Sequence, residues 1–143
     1  MSSRWYSIGT TFNGNTDIST FNEFVNFTSV TTLEMSAFTN SNLSEITLPT
    51  SLTTIRNNVF WGTKLVSVTI PSSVSSIEAG SFRQCASLVT VTVLRDTPPT
   101  LGAAVFLNDS ALTTIYVPAD SIDTYKAANN WSTWAAKIQA IPV

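Results

Sequence analysis

Residues 65–82 read LVSVTIPSSVSSIEAGSF, and this stretch decides the architecture because three other stretches of the chain are imperfect copies of it. Leu65, Val68 and Ile70 set a strand-like apolar face, with Ser67 and Thr69 alternating outward between them. Pro71 has no amide hydrogen to give a ladder and ends the strand. Val74 and Ile77 make a second short apolar pair, and Phe82 closes the unit.

The register holds across the chain. Leu43, Leu65, Leu88 and Leu112 are separated by 22, 23 and 24 residues, and the same steps join Ile46, Val68, Val91 and Ile115, and Leu48, Ile70, Val93 and Val117. Phe38, Phe60, Phe82 and Phe106 lie 22, 22 and 24 apart, and Leu33, Ile55, Ile77 and Leu101 each precede their phenylalanine by five positions. Leucine-bearing self-similarity at a period of about 20–29 residues is the mark of a leucine-rich repeat solenoid. One copy cannot bury its own apolar edge, so copies must stack. The expected fold is therefore mainly β: a short right-handed solenoid with a parallel sheet of LxxIxI strands on one face. A second row of short extended segments is expected at Val30, Leu52 and Val74, with the four phenylalanines in a file inside.

Residues 1–20 read as an entrance cap, with Trp5, Tyr6, Ile8 and Phe12 ahead of the turn formers Asn13, Gly14 and Asn15. Repeats occupy residues 21–118. The first, from Phe21, is degenerate, placing Phe24 in the slot of Ile46 and Val68, and Asn26 in that of Leu48 and Ile70. In the repeat from Leu88, Leu94 replaces the expected proline and Thr97, Pro98, Pro99 and Thr100 precede Leu101, which predicts a local bulge on the convex side. Residues 119–143 read as a helical exit cap within the same structural domain. There Ile122, Tyr125, Ala128, Trp131, Trp134, Ala135 and Ile138 follow helical spacing. Asp120 or Ser121 is the expected N-cap, and Asn129 and Asn130 divide the segment into two short helices.

With 43% apolar residues, 143 residues are enough for one sizeable core. Only 11% are charged, and 41 serines and threonines fill the gap, giving a neutral, hydroxyl-rich skin. A formal charge of -2, with seven basic residues scattered singly, gives no electrostatic footprint for nucleic acid or an anionic membrane. No apolar run approaches the roughly 18 residues of a membrane span. The first residues, MSSRWYSIGTTF, lack the apolar core of a secretory leader. The expectation is a protein that acts outside the cell or on a surface, reached after removal of a leader or by assembly into a larger particle such as a virion.

There is no histidine, so the commonest general base and metal ligand is missing, and no cofactor or metal is expected. The single cysteine, Cys85, occupies the slot of Ser41 and Thr63 in neighbouring coils and reads as a small buried turn residue. Glu23 and Glu45, 22 residues apart, share an outward strand slot, roughly 5 Å from one another if their strands adjoin. They could bridge a cation, but the ladder continues as Ser67, Thr90 and Thr114, and a metal site needs more oxygen donors. Two solvated glutamates splaying apart is the preferred reading. The neighbouring ladder is Val25, Thr47, Thr69, Thr92 and Tyr116. Together these slots form a flat hydroxyl sheet suited to a polar protein or glycan, with Tyr116 and Trp61 as stacking faces. Threonine's liking for strands explains the same composition without a ligand.

The unit LxxIxIPxSVxxIxxxxFxxC, present in residues 65–85, resembles the BspA-like leucine-rich repeats of bacterial surface proteins, as does the tail from TPPTLGAAVF through IYVPADSIDTYKAANNWSTWAAKIQAI. The resemblance implies a non-enzymatic adhesion or recognition module, since such proteins bind host matrix proteins, other bacteria or polysaccharide. The expected ligand face comprises Glu23, Glu45, Thr47, Ser67, Thr69, Thr90, Thr92, Thr114 and Tyr116. The alternative is a structural building block of a fibre, surface layer or phage virion, in which the partner is a further copy of the chain.

Overall fold

The computed structural model describes residues 7–143, so Trp5 and Tyr6 of the expected entrance cap lie outside the described residues. The strands are β1 (Ser7–Ile8), β2 (Thr20–Phe21), β3 (Thr32–Leu33), β4 (Glu45–Ile46), β5 (Thr54–Ile55), β6 (Ser67–Ile70), β7 (Ser76–Ile77), β8 (Thr90–Val93), β9 (Thr100–Leu101), β10 (Thr114–Val117) and β11 (Ile138–Ala140). They stack as a solenoid of parallel strands. One side of the coils is a five-stranded sheet in the order β1-β3-β5-β7-β9. Another carries the four-stranded sheet β11-β10-β8-β6 and, separately, the pair β2-β4. Turns make the third side.

The columns legible in the sequence are the ladders of the structure. Leu33, Ile55, Ile77 and Leu101 are successive partners in the five-stranded sheet, and Val68, Val91 and Ile115 in the other. Their side chains are buried together between the sheets. Phe38, Phe60, Phe82 and Phe106 stack in a file with ring centroids 5.5, 5.0 and 5.9 Å apart. Phe12 adds a fifth ring, 5.3 Å from Phe38 and nearly parallel to it. Trp134 ends the file edge-on against Phe106 at 5.6 Å.

The turn side is built on left-handed backbone at two recurring positions. Ser36, Asn58, Gly80 and Ala104 form one such column; Asn40, Gly62, Gln84 and Asn108 form the other. Between them the chain gives every second amide to the next coil, as in Ser36 to Asn57, Phe38 to Val59 and Asn40 to Trp61. Asparagine tolerates this conformation and glycine adopts it without strain. At Gly62 a side chain would also have to displace the side-chain amide oxygen of Asn40 in the preceding coil.

Several expectations are corrected. The second sheet does not form at Val30, Leu52 and Val74 but two or three residues later, at β3, β5 and β7. The amides of these three residues are used in turns, donating to Phe27 O, Pro49 O and Pro71 O at 3.0, 3.1 and 3.1 Å. The expected bulge after Leu94 leaves the sheet intact, since β9 still pairs with β7. Ser121 precedes helix α1 (Ile122–Ala127), but no side chain caps that helix. Nor is the second exit segment a continuation of α-helix: Trp131–Lys137 is a 3-10 helix, entered through Asn130 at φ 63°. Ile138 is not on it. It begins β11, which pairs with β10 through Ile115↔Ile138 and Tyr116↔Gln139.

Candidate binding surface

Alternation along β6, β8 and β10 turns Ser67, Thr69, Thr90, Thr92, Thr114 and Tyr116 outward while Val68, Ile70, Val91, Val93, Ile115 and Val117 are buried. The structure brings these outward residues together as two registered rows, Ser67↔Thr90↔Thr114 and Thr69↔Thr92↔Tyr116. Gln139 of β11 extends the second row beyond Tyr116. It was not anticipated, because tryptophans at three-residue spacing ahead of it read as helix. This face carries no charged side chain across β6, β8, β10 and β11. The Tyr116 ring, half-buried between Thr92 and Gln139, is its one aromatic group. Trp61 is elsewhere, on the turn side.

The N-terminal end of the rows departs from expectation. The residue paired with Glu45 is Thr20, not Glu23, and Phe21, not Phe24, pairs with Ile46. Glu23 and Val25 are exposed on a 3-10 helix, Asn22–Asn26, and so belong to no strand row. The physical cause is the run FNEFVNF. Phe21, Phe24 and Phe27 recur every third residue, the period of a 3-10 helix, which gathers them on one side against the core. Glu45 is held instead by Asn22, whose amide nitrogen donates to Oε1 at 2.8 Å, and the Thr47 hydroxyl donates to Asn22 Oδ1 at 3.0 Å. The two glutamates therefore do not form the shared slot a cation bridge would use. Among the described residues no three of Cys, Asp and Glu converge on one point.

Strand pairing lapses between β4 and β6, and there a groove of about 370 Å³ opens on the same side. Glu45, Thr47, Ser67 and Thr69 supply its polar wall; Val25, Pro71 and Leu94 supply apolar ground. Thus Val25 reaches the surface named for it by a helical turn and not by a strand.

Cys85 belongs to a buried column of turn residues, Ser41, Thr63, Cys85 and Asp109. The Cys85 thiol donates to Phe60 O at 3.0 Å, and burial pushes its pKa up to about 12, so it is no thiolate nucleophile. Asp109 was overlooked in the sequence, although its spacing of three from Phe106 repeats that of Cys85 from Phe82. Its Oδ1 accepts the Cys85 amide at 2.8 Å, while Oδ2 is buried with no partner among the described residues. Burial raises this carboxyl from 3.8 to about 7. The folded state therefore binds the proton more tightly than the unfolded chain. That contribution to stability is complete below about pH 4 and is lost as pH rises through about 7. Asp109→Asn is expected to match the parent near pH 4 and to exceed its stability by roughly 2–4 kcal/mol at pH 8. Paired denaturant titrations at the two pH values check this; equal stabilities at pH 8 would contradict the burial argument.

Comparison with protein families matches the chain to the BspA type leucine rich repeat region, in six copies spanning residues 9–132. The chain belongs to the BspA-type leucine-rich repeat family. Comparison with curated proteins finds none that matches. The six copies extend beyond the four clean repeats of the sequence, the match starting in the entrance coil at Gly9 and ending at Ser132 in the exit segment. A BspA-type coil thus supplies the frame, and the family suggests a role in protein interaction or in structure.

Proposed function

We propose that this BspA-type repeat chain is a non-enzymatic adhesion module, acting outside the cell or on a particle surface, whose four-stranded sheet receives a protein partner. The observation that carries the reading is the registered double row of uncharged outward side chains ending in Tyr116 and Gln139, continued by the groove at Glu45 and Thr47. Hydroxyl and amide groups give and accept hydrogen bonds without the desolvation cost of charge, and Tyr116 is an anchor of the kind enriched in interfaces. No group on this face has the titratable neighbours that acid–base or nucleophilic chemistry requires.

The test is capture on an array of extracellular-matrix proteins and glycans, repeated with Thr69→Arg/Thr92→Arg. Thr69 and Thr92 are direct partners in the register, so the two arginines repel, and the variant should stay folded with a loss of about 1–2 kcal/mol at most. Capture of at least one matrix protein should fall about tenfold or more, the equivalent of about 1.4 kcal/mol. Capture untouched by the two arginines would remove the sheet from the binding role. Solution mass separates the structural alternative. A chain monomeric at all concentrations fits the adhesion module, whereas a defined multimer or filament with no capture on the array would replace it with a building block.

A further inference from the structure

We infer that the cavity beside Trp61, on the turn side of the solenoid, is a binding subsite for a neutral sugar ring. The site is distinct from the sheet face. It is a cavity of about 390 Å³, open to solvent on one side, lined by Ser36, Thr39, Asn58 and Trp61 and by the exposed Asn40 and Gln84, none of them charged. That volume is within the range of small-ligand pockets.

The indole is held in place. Trp61 Nε1 donates to Gln84 Oε1 at 3.0 Å, and the Arg83 guanidinium lies over the ring, 5.0 Å from its centroid. Beside the ring, Ser36, Thr39 and Asn40 of the preceding coil and Gln84 of the next one line the space a ligand would enter. A ring already oriented by a hydrogen bond and a cation–π contact loses little conformational freedom on binding. Such a platform suits the flat, weakly polarised C–H face of a pyranose, and the residues lining the cavity are all uncharged.

The polar lining complements a sugar's hydroxyls. Among the described residues, the Ser36 hydroxyl and the side-chain amide nitrogens of Asn40, Asn58 and Gln84 donate to no protein group. Two of these side chains lie against the next coil. Asn40 and Asn58 have left-handed φ of 57° and 60°, and their amide oxygens rest over Gly62 and Gly80 of the next coil. Several neutral donors beside one aromatic ring favour an acceptor-rich, uncharged ligand over an anion, which would seek a cation among the lining residues, and over an apolar peptide, which would leave the amides unpaired.

The experiment titrates the full chain with neutral hexasaccharides built from glucose, mannose, galactose or N-acetylglucosamine, measuring binding by calorimetry in every variant and, where the indole is present, following the Trp61 N–H resonance, assigned by its absence in Trp61→Phe. At least one is expected to shift that resonance saturably. Trp61→Ala should weaken binding about tenfold or more, and Trp61→Phe less, because a smaller stacking face remains. Asn58→Ala provides a second variant that leaves the indole in place, and it should weaken binding severalfold. Thr69→Arg/Thr92→Arg should bind sugar like the parent, which separates this site from the sheet. No shift with any sugar up to about 10 mM, a concentration that would reveal even a millimolar site, would overturn the inference. So would binding undiminished in Trp61→Ala, or a preference for uronic or sulfated sugars over neutral ones.

Discussion

Phe60→Ala is expected to cost about 3–5 kcal/mol, a large share of the roughly 5–15 kcal/mol that holds a domain of this size together. Phe60 is fully buried, stacked between Phe38 at 5.5 Å and Phe82 at 5.0 Å. Its backbone amide also donates to Ser81 O at 2.7 Å, so its position is fixed by the turn ladder and the neighbouring coils cannot move in to fill the gap. The loss therefore comprises burial of the ring, the residual cavity, and about 0.5–1.5 kcal/mol for each of two ring contacts. Because coils exchange energy only with their neighbours, the defect sits at the middle of the stack and weakens both halves. A fall in melting temperature of roughly 10–20 °C is expected, and Phe60→Leu, which keeps much of the volume but no stacking, should fall less. Calorimetry or circular dichroism checks this. A Phe60→Ala protein that melted like its parent would show that the file of rings contributes nothing to the fold.

The parts of this fold that were legible in the sequence are those governed by periodicity. Leu33, Ile55, Ile77 and Leu101, and the phenylalanines that follow each by five, recur because every coil must present the same group at the same depth to its neighbours. Where the period breaks, reading failed for a physical reason. Phe12 joins the file, but it precedes Phe38 by 26 residues, and the coil between contains a helical turn that no 22-residue template anticipates. Glu23 matched Glu45 by subtraction alone; three phenylalanines at helical spacing outweighed the alternation a strand would have required. Ile138 shows the converse error, for it continues the spacing of Trp131 and Trp134 yet begins a strand. Among the outward residues, Ser67, Thr69, Thr90, Thr92, Thr114 and Tyr116 were placed by strand alternation, which survives in every regular coil. The groove and the Trp61 cavity were not, since each is a gap between coils, and although Ser36 and Asn58 or Thr47 and Thr69 recur in columns, periodicity says which residues align and not where neighbouring coils leave space.

Removal of residues 119–143 is expected to leave a chain that self-associates or fails to fold. Neither helical piece of that segment is long enough to be stable alone, α1 having six residues and the 3-10 helix seven. Their order comes from the last coil, and the last coil's completion comes from them. Trp131 is 1% exposed, packs 5.0 Å from Tyr125, and gives its indole N–H to Pro99 O at 2.8 Å. Asn130 donates to Leu101 O at 2.6 Å, Tyr125 to Arg95 O at 2.6 Å, and Lys137 to Leu112 O at 2.7 Å. Thus the carbonyls around the final coil are satisfied by side chains where further coils would have offered amides, and β11 covers the edge of β10. Deleting the segment strips these partners at once. It bares Phe106, Leu101 and Ile115, and it opens the outer edges of both β9 and β10 to pairing with other chains. Two buried aromatic side chains alone contribute roughly 1.5–3 kcal/mol each, before any unpaired carbonyl is counted. Light scattering and thermal melting of the shortened chain decide the matter. Aggregation or a much lower melting point is the expected result. A monomeric product with an unchanged melting point would mean that the exit segment is an appendage, and would make Trp131 and Trp134 candidates for ligand contact.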